Sequence, residues 1–171
     1  MAFVHSFAPI ENPRAQVLIL GSMPGIASLR AGQYYAHPRN LFWQIIGEII
    51  DCESTLPYAQ RIAGLQSSGI ALWDVIALCT RESSLDANID KASIVPNDFK
   101  SFFARHPALT HVFFNGGAAE QSFKRHVRPQ MQRTLIYTRL PSTSPAHAAR
   151  SFESKLQIWR DAIAPVLAAR T

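Results

Sequence analysis

Short apolar runs alternate along the chain with longer segments in which apolar residues recur at every third or fourth position. A continuous apolar run of about four to eight residues is typical of a strand buried on both faces of a parallel sheet, and the wider spacing is typical of helices that pack on such a sheet. The alternation predicts an α/β fold with three α/β/α layers and a mostly parallel central sheet of about four strands. We predict strands at residues 17–21, 70–75, 111–115 and 134–140, and helices at residues 41–50, 57–67, 96–105, 118–126 and 152–169.

The last predicted helix has a clear apolar face, on which we expect Trp159 to pack in the core and not on a ligand. Pro165 is expected to kink or end this helix. The face consists of residues spaced by three or four positions: Phe152, Leu156, Trp159, Ile163 and Leu167. Two long connections interrupt the alternation, at residues 22–40 and 77–95. Connections of that length in a compact domain are usually functional, so we expect the site to involve them.

The length of 171 residues predicts one domain, residues 1–171, with a single hydrophobic core. The apolar runs are far shorter than a membrane span, and the start of the chain lacks the basic and apolar segments of a secretory signal. We therefore expect a cytoplasmic protein with no membrane contact. The two cysteines, Cys52 and Cys79, have no CxxC spacing, which predicts neither a disulfide framework nor a metal site.

Positive charge is concentrated in the second part of the chain. The net charge is +5, and residues 120–171 carry nine Lys and Arg against three Asp and Glu, whereas residues 1–119 carry eight against nine. Basic surface binds polyanions such as DNA by neutralising phosphates. A solvated basic surface without a partner is the alternative, and charge alone leaves both open.

The most informative segment is the loop after the first predicted strand. Residues 21–25 read Gly-Ser-Met-Pro-Gly, and residues 33–43 read Gln-Tyr-Tyr-Ala-His-Pro-Arg-Asn-Leu-Phe-Trp. A glycine-rich turn at the carboxyl end of a buried parallel strand is where open α/β sheets bind ligands, and glycine lets the backbone approach a ligand closely. An ordinary strand-to-loop turn is the alternative. Tyr34 and Tyr35 offer rings on which a base can stack, although each can equally pack in the core.

A second loop, Leu-Pro-Ser-Thr-Ser-Pro at residues 140–145, also follows a predicted strand. Together the two loops resemble the signature loops of the uracil-DNA glycosylase superfamily. Tyr-Ala-His-Pro-Arg-Asn at residues 35–40 resembles the hypoxanthine-DNA (deoxyinosine) glycosylase branch in particular. The run from Ala36 to Trp43 is similar also to mismatch-specific uracil-DNA glycosylases.

This resemblance implies a DNA repair enzyme that flips a deaminated base, with hypoxanthine expected, out of double-stranded DNA and hydrolyses its N-glycosidic bond to leave an abasic site. No Lys or terminal amine lies in the two loops to form a Schiff base with the sugar, so we expect a monofunctional glycosylase. We expect a monomer whose partner is damaged duplex DNA, with no metal and no cofactor. The alternatives are a mismatch-type uracil-DNA glycosylase, a hydrolase of free nucleotides, and a lesion-binding module that has lost catalysis.

The resemblance also suggests roles for individual residues. Tyr35 takes the position of the residue that stacks on the base, and Asn40 that of the catalytic amide; the alternative for Asn40 is to cap the next helix. Asp74 takes the position of the residue that reads the base edge, or else it is a structural carboxylate that bonds the following loop. The other base-binding residues are those of the first turn: Gly21, Ser22, Met23, Pro24 and Gly25.

Two positions depart from the family pattern. Met23 stands where many relatives carry an Asp or Asn that activates water, and Leu140 stands where several carry a His or Asn that polarises the base carbonyl. Neither side chain can do this work. We therefore expect weak uracil removal, with Asn40 as the substitute catalytic group.

The remaining candidates are expected to contact DNA, because small hydroxyl side chains, backbone N–H groups and basic side chains can grip phosphates. A solvated Ser/Thr turn is the alternative for the second loop. These residues are His37, Arg39, Ser142, Thr143, Ser144, His147 and Arg150. Residues 81–86 resemble the hypoxanthine branch in spacing but suggest no role. Asn-Gly-Gly at residues 115–117 predicts close packing of a strand on a helix.

Overall fold

Strands and helices alternate along residues 3–169, which the computed structural model describes. The strands are β1 (Phe3–His5), β2 (Val17–Gly21), β3 (Ile70–Asp74), β4 (Ile76–Thr80), β5 (Val95–Pro96), β6 (His111–Asn115) and β7 (Ile136–Leu140). The helices are α1 (Ile26–Ala31), α2 (Phe42–Ile50), α3 (Tyr58–Ser68), α4 (Phe99–Arg105), α5 (Gly117–His126) and α6 (Phe152–Ala168). Short 3-10 turns lie at Asp86–Asn88, Lys91–Ser93 and Arg128–Gln130.

The central sheet has four strands in the order β3-β2-β6-β7, and every pair is parallel. Successive side chains of a strand point to opposite faces, and β2 divides its residues in this way. Leu18 and Leu20 pack with the aromatic residues of α4 and α5, whereas Val17 and Ile19 pack with α2, α3 and α6. The predicted α/β/α arrangement around a parallel sheet of about four strands is confirmed.

Helix α6 closes one face of the sheet with the apolar side that its sequence predicts. Trp159 and Ile163 are completely buried, and the Trp159 Nε1 group donates to the Pro141 carbonyl at 2.9 Å. The prediction that Trp159 belongs to the core is therefore confirmed. Pro165 lies inside the helix, which continues to Ala168.

A second, antiparallel sheet in the order β1-β4-β5 was not predicted. Strand β4 follows β3 with only Val75 between them, so the two strands form one apolar run in the sequence. The predicted strand at residues 70–75 consequently ends one residue early, and the connection predicted at 77–95 contains most of β4, β5 and two 3-10 turns. The helix predicted from residue 96 begins at Phe99, because Pro96 belongs to β5 and the Asp98 side chain caps the helix.

The parallel strands end at a common edge, with Gly21, Asp74, Asn115 and Leu140 as their last residues. The loops that follow these strands therefore converge, as they do at the ligand sites of open α/β sheets. None of the helices within residues 3–169 is long and apolar enough to cross a membrane. The single domain over residues 1–171 stays a prediction, and its first two and last two residues lie outside the described part of the chain.

Candidate active site

A cavity of about 150 Å³ lies at the carboxyl edge of the central sheet. Loops that are far apart in the sequence meet around it, including most of the predicted site residues. Its predicted members are Gly21, Ser22, Met23, Pro24, Gly25, Tyr35, His37, Asn40, Asp74, Ser142, Thr143 and Ser144, and Ser84, Asp86 and Asn115 join them. Arg39, His147 and Arg150 are exposed and do not line the cavity.

The floor of the cavity requires glycine at position 21. Gly21 pairs with Asp74 in the sheet, and a Cβ atom on Gly21 would lie 2.5 Å from Asp74 Oδ1 and 2.9 Å from the Tyr35 hydroxyl. Any side chain at this position would displace both polar groups. The glycine therefore allows a carboxyl group and a phenol to meet the backbone at the base of the cavity.

The Asp74 carboxyl group is buried without a hydrogen-bond donor beside it. Asp74 is 3% exposed, and neither carboxyl oxygen accepts a hydrogen bond from residues 3–169. Burial, and then the charge of Asp86, raises the pKa of Asp74 to about 7, while Arg81 opposes the shift. The alternative of a carboxylate that bonds the following loop is thus absent from the structure, and Asp74 keeps both oxygens for a ligand.

Tyr35 is held rigidly at the side of the cavity. Its backbone adopts a left-handed conformation with φ of 54°, and its ring stacks on Phe42 with centroids 4.2 Å apart. Its hydroxyl is buried and has no hydrogen-bond partner among the described residues, and burial raises its pKa, so it stays protonated. Tyr34 differs: it is 4% exposed, its hydroxyl donates to the Ala8 carbonyl, and it belongs to the core.

Asn40 reaches the cavity from the turn before α2. Its Oδ1 atom accepts a hydrogen bond from the Phe42 N–H at 2.9 Å, as the capping alternative predicts. The Nδ2 group has no acceptor within residues 3–169. An amide NH2 group is a donor only, so the free Nδ2 end can donate to a ligand.

Hydrogen bonds between Thr143 in the second loop and Asn115 at the end of β6 hold this loop in place. The Asn115 Nδ2 group donates to Thr143 Oγ1, and the Thr143 N–H donates back to Asn115 Oδ1, both at 2.9 Å. The Thr143 carbonyl accepts from the Leu41 N–H at 3.0 Å, which ties this loop to the start of α2. Thr143 is completely buried, and its burial argues against the predicted DNA contact by its side chain. Ser142 and Ser144 remain partly exposed.

The Asn-Gly-Gly segment therefore does more than pack a strand on a helix. Gly116 has φ of 94°, and a Cβ atom there would lie 3.1 Å from the Ser142 Cβ atom. Asn115 and Gly116 shape the second loop between them. The signal available in the sequence was a polar residue at the carboxyl end of a buried strand.

Residues 81–86, to which the sequence suggested no role, brace the first loop at three points. The Arg81 Nη2 group donates to the Pro24 carbonyl, and the Ile26 N–H donates to Ser84 Oγ at 2.8 Å. The Ser22 hydroxyl donates to Asp86 Oδ1 at 2.7 Å. The first loop thus depends on the long connection after β4 for its shape, and Asp86 brings a second carboxylate into the cavity.

At the two positions that depart from the family pattern, both the side chain and the residues around it are apolar. Met23 is 7% exposed and packs with Val4, Ile76 and Cys79. Leu140 is 2% exposed and belongs to the core beside α6. Within residues 3–169, no group of three or more His, Cys, Asp or Glu side chains is arranged to hold a metal ion.

The sequence model of the uracil DNA glycosylase superfamily matches residues 8–163. The chain belongs to this superfamily. The hypoxanthine DNA glycosylase of Methanosarcina barkeri (strain Fusaro / DSM 804) is 34% identical over 158 residues, which cover 91% of this chain and 95% of that protein. The protein of the same name from Methanosarcina acetivorans is 33% identical over 142 residues, which cover 82% of this chain and 86% of that protein. The predicted family resemblance is confirmed.

A solved structure shows the same fold. The solution NMR structure of a candidate uracil DNA glycosylase from Methanosarcina acetivorans superposes with a TM-score of 0.80 at 28% sequence identity. The superposition covers 96% of this chain and 99% of that one. The uracil-DNA glycosylase fold therefore extends over almost the whole of this chain.

Proposed function

We propose that this protein is a monofunctional DNA glycosylase that removes hypoxanthine from duplex DNA by hydrolysis of the N-glycosidic bond. The observation that carries the proposal is the cavity, where Tyr35, the unpartnered Asp74 carboxyl group and the free amide end of Asn40 meet. Its volume of about 150 Å³ is well below the roughly 300 Å³ of pockets for drug-sized ligands. A single flipped base is a ligand of suitable size.

The floor of the cavity suits the polar edge of hypoxanthine. This base offers an N1–H donor and an O6 acceptor, and the Asp74 carboxylate can accept from N1–H. Uracil also carries an N–H between carbonyl groups, so Asp74 alone does not separate the two bases. The larger purine gains more from stacking on Tyr35, which Phe42 holds in place.

Bond cleavage requires that charge on the departing base and on the sugar be stabilised. As the C1′–N9 bond breaks, negative charge spreads to O6 of hypoxanthine, where backbone N–H groups and the Asn40 amide can donate. Met23 and Leu140 supply no polar group for this purpose. The site therefore favours a base that leaves as a well-stabilised anion.

Contact with the duplex is proposed for the exposed residues beside the cavity. Arg39 and Arg150 are exposed, His147 follows the second loop, and His37 lines the cavity. The arginine and histidine side chains at these positions would bind the phosphates that flank the flipped nucleotide. We propose that the protein acts as a monomer in the cytoplasm.

A panel of duplexes tests the proposal. Each duplex carries one hypoxanthine, uracil, xanthine or alkylated purine, and alkali after incubation reveals any abasic site as a strand break. We expect cleavage at hypoxanthine. Tight binding to the inosine duplex without an abasic product would support a lesion-binding module, and cleavage of free nucleosides alone would contradict the assignment to DNA.

A further inference from the structure

Hydrolysis needs a group that accepts a proton from the attacking water, and the first loop holds none. Position 23 is a buried methionine, and the amide of Asn40 does not take up a proton. Asp74 lies at the floor, where its Oδ1 atom lies against Gly21 near the Tyr35 hydroxyl. The water that attacks C1′ must instead lie nearer the opening, beside the sugar.

Asp86 is a second carboxylate that lines the cavity. It opens the 3-10 turn Asp86–Asn88 and also reaches solvent. The Ser22 hydroxyl fixes Oδ1 by a hydrogen bond of 2.7 Å. Oδ2 has no hydrogen-bond partner among the described residues. One oxygen is thus oriented from the first loop, next to Met23, and the other is free to accept from water.

We propose that Asp86 positions and deprotonates the hydrolytic water, so that the long connection after β4 supplies the carboxylate that the first loop lacks. This inference rests on the proposed glycosylase function. The water oxygen bonds to C1′ as the C1′–N9 electron pair leaves with the base, and the water proton passes to Asp86. The base anion then takes up a proton from solvent, and Asp86 releases its own to solvent, which leaves an abasic sugar and free hypoxanthine.

Charged groups face Asp86 from several elements of the fold. Three groups act on Asp86 electrostatically. They are Asp74 at the end of β3, Arg81 directly after β4, and His147 just after the second loop. An adjoining groove places Lys91, Arg125 and His126 on its other side. Desolvation of its carboxylate raises the pKa of Asp86. The Ser22 hydrogen bond, Arg81 and His147 oppose that shift. A general base works best when its pKa lies close to the working pH.

The variant Asp86→Asn separates proton acceptance from structural bracing. Asparagine keeps an Oδ1 atom for the Ser22 hydroxyl, so the first loop retains its brace, but an amide cannot take a proton from water. We expect the single-turnover rate on an inosine duplex to fall by roughly 10²-fold or more, with binding of that duplex close to wild type. Ser22→Ala, which removes the brace and leaves the carboxylate, is expected to cost less.

Glu82→Gln is the matched control, because it removes the same charge from an exposed residue of the same segment that does not line the cavity. The dependence of rate on pH gives a second readout. The wild-type rate should rise with pH as Asp86 ionises, and Asp86→Asn should lose that part of the rise. Asp74 titrates in both proteins, and loss of the Asp86 charge lowers the pKa of Asp74 in the variant, so the double variant Asp74→Asn/Asp86→Asn is compared with Asp74→Asn to isolate Asp86.

The outcomes separate this inference from the proposed function. A wild-type protein that cleaves no damaged duplex overturns the function, and the inference falls with it. A wild type that cleaves, together with an Asp86→Asn variant of equal rate and equal pH profile, overturns the inference alone. A rate for Asp86→Asn that falls only as far as Ser22→Ala, with an unchanged pH profile, assigns Asp86 to bracing and also overturns it.

Discussion

At the scale of single residues, Asn40 shows how one side chain can serve both the fold and the chemistry. Its oxygen accepts the Phe42 N–H at the start of α2, and its Nδ2 group faces the cavity without a partner among the described residues. A helix-capping amide and a catalytic amide are therefore compatible roles. Two substitutions can separate them, because aspartate keeps the accepting oxygen and alanine removes both ends.

We expect Asn40→Ala and Asn40→Asp each to lower the single-turnover rate on an inosine duplex by roughly 10²-fold or more, since both remove the donor. Only Asn40→Ala should also lower the free energy of unfolding, by about 1 kcal/mol, because it removes the cap. Quenched-flow kinetics and urea denaturation measure the two effects. A wild-type rate for Asn40→Asp would limit Asn40 to its structural role.

The raised pKa of Asp74 makes the stability of the fold depend on pH. Burial raises its pKa in the folded protein from the ordinary 3.8 to about 7, so the folded state holds a proton that the unfolded chain has already released. Asp74 therefore contributes stability below its unfolded pKa, and that contribution is lost as the pH rises to about 7 and beyond. Asp74→Asn keeps the shape of the side chain but replaces the carboxyl group with an amide that does not titrate.

Between pH 4 and pH 8, the wild type should lose on the order of 2–4 kcal/mol of unfolding free energy relative to Asp74→Asn. Urea denaturation of both proteins at the two pH values measures this difference. The same stability difference at both pH values would show that Asp74 titrates in the folded protein as it does in an unfolded chain.

At the scale of elements, the join between β6 and α5 shapes the second loop. Gly116 has φ of 94° and ψ of 171°, a region that only glycine adopts readily, and it also lies against Ser142. Gly32 ends α1 with φ of 65°, but nothing lies within 4 Å of the position its Cβ would take. Gly116 therefore combines a conformation closed to other residues with a close contact, whereas Gly32 has a milder left-handed conformation and no contact.

Gly116→Ala should lower the free energy of unfolding by roughly 2–3 kcal/mol or more, and Gly32→Ala by only about 1 kcal/mol. Gly116→Ala should also slow base excision, since Ser142 has to move. Urea denaturation and single-turnover kinetics measure both quantities. Equal losses of stability for the two variants would contradict the view that the Gly116 conformation and the Ser142 contact together exclude a side chain.

The sequence predicted the parallel sheet well because its strands are continuous apolar runs buried on both faces. The antiparallel sheet escaped prediction for the opposite reason. Phe3–His5 and Val95–Pro96 are too short to show a period, and Ile76–Thr80 continues the apolar run of β3. Their pairing depends on contacts between distant parts of the chain, which no local pattern records.

At the scale of the whole molecule, the excess of positive charge in residues 120–171 overstates the charge offered to DNA. Lys155 is 2% exposed and donates to the His147 carbonyl, and Arg133 donates to backbone carbonyls that include Phe103 and Leu109. Arg139 lies 3.7 Å from Glu120. Part of this charge therefore serves the fold, and Arg150 is among the residues that stay exposed.

Arg150→Ala should weaken binding of an inosine duplex and reduce the slope of log K against log salt by about 1, because one phosphate contact is lost. Arg14→Ala is the control. Arg14 is also exposed, but it precedes β2 and so lies towards the opposite edge of the sheet. Fluorescence anisotropy over a range of salt concentrations measures both slopes. Equal slopes for wild type and Arg150→Ala would place Arg150 outside the DNA interface.

The residues of the site were predictable where a motif marks them and not where the fold assembles them. The two loops carry their resemblance in consecutive residues, so the sequence pointed to Tyr35 and Asn40. Asp86 reaches the same cavity from a distant connection, and only its hydrogen bond to Ser22 shows that it belongs there. Thr143 lies in a motif, but its burial depends on the partner Asn115 from another strand.

The decisive comparison is the single-turnover rate of base excision on two duplexes that differ only in carrying hypoxanthine or uracil. With Met23 and Leu140 buried among apolar side chains, we predict that the wild type excises hypoxanthine faster than uracil, and that Met23→Asn raises uracil excision from a low level. A wild type that excises uracil faster than hypoxanthine would contradict the central claim.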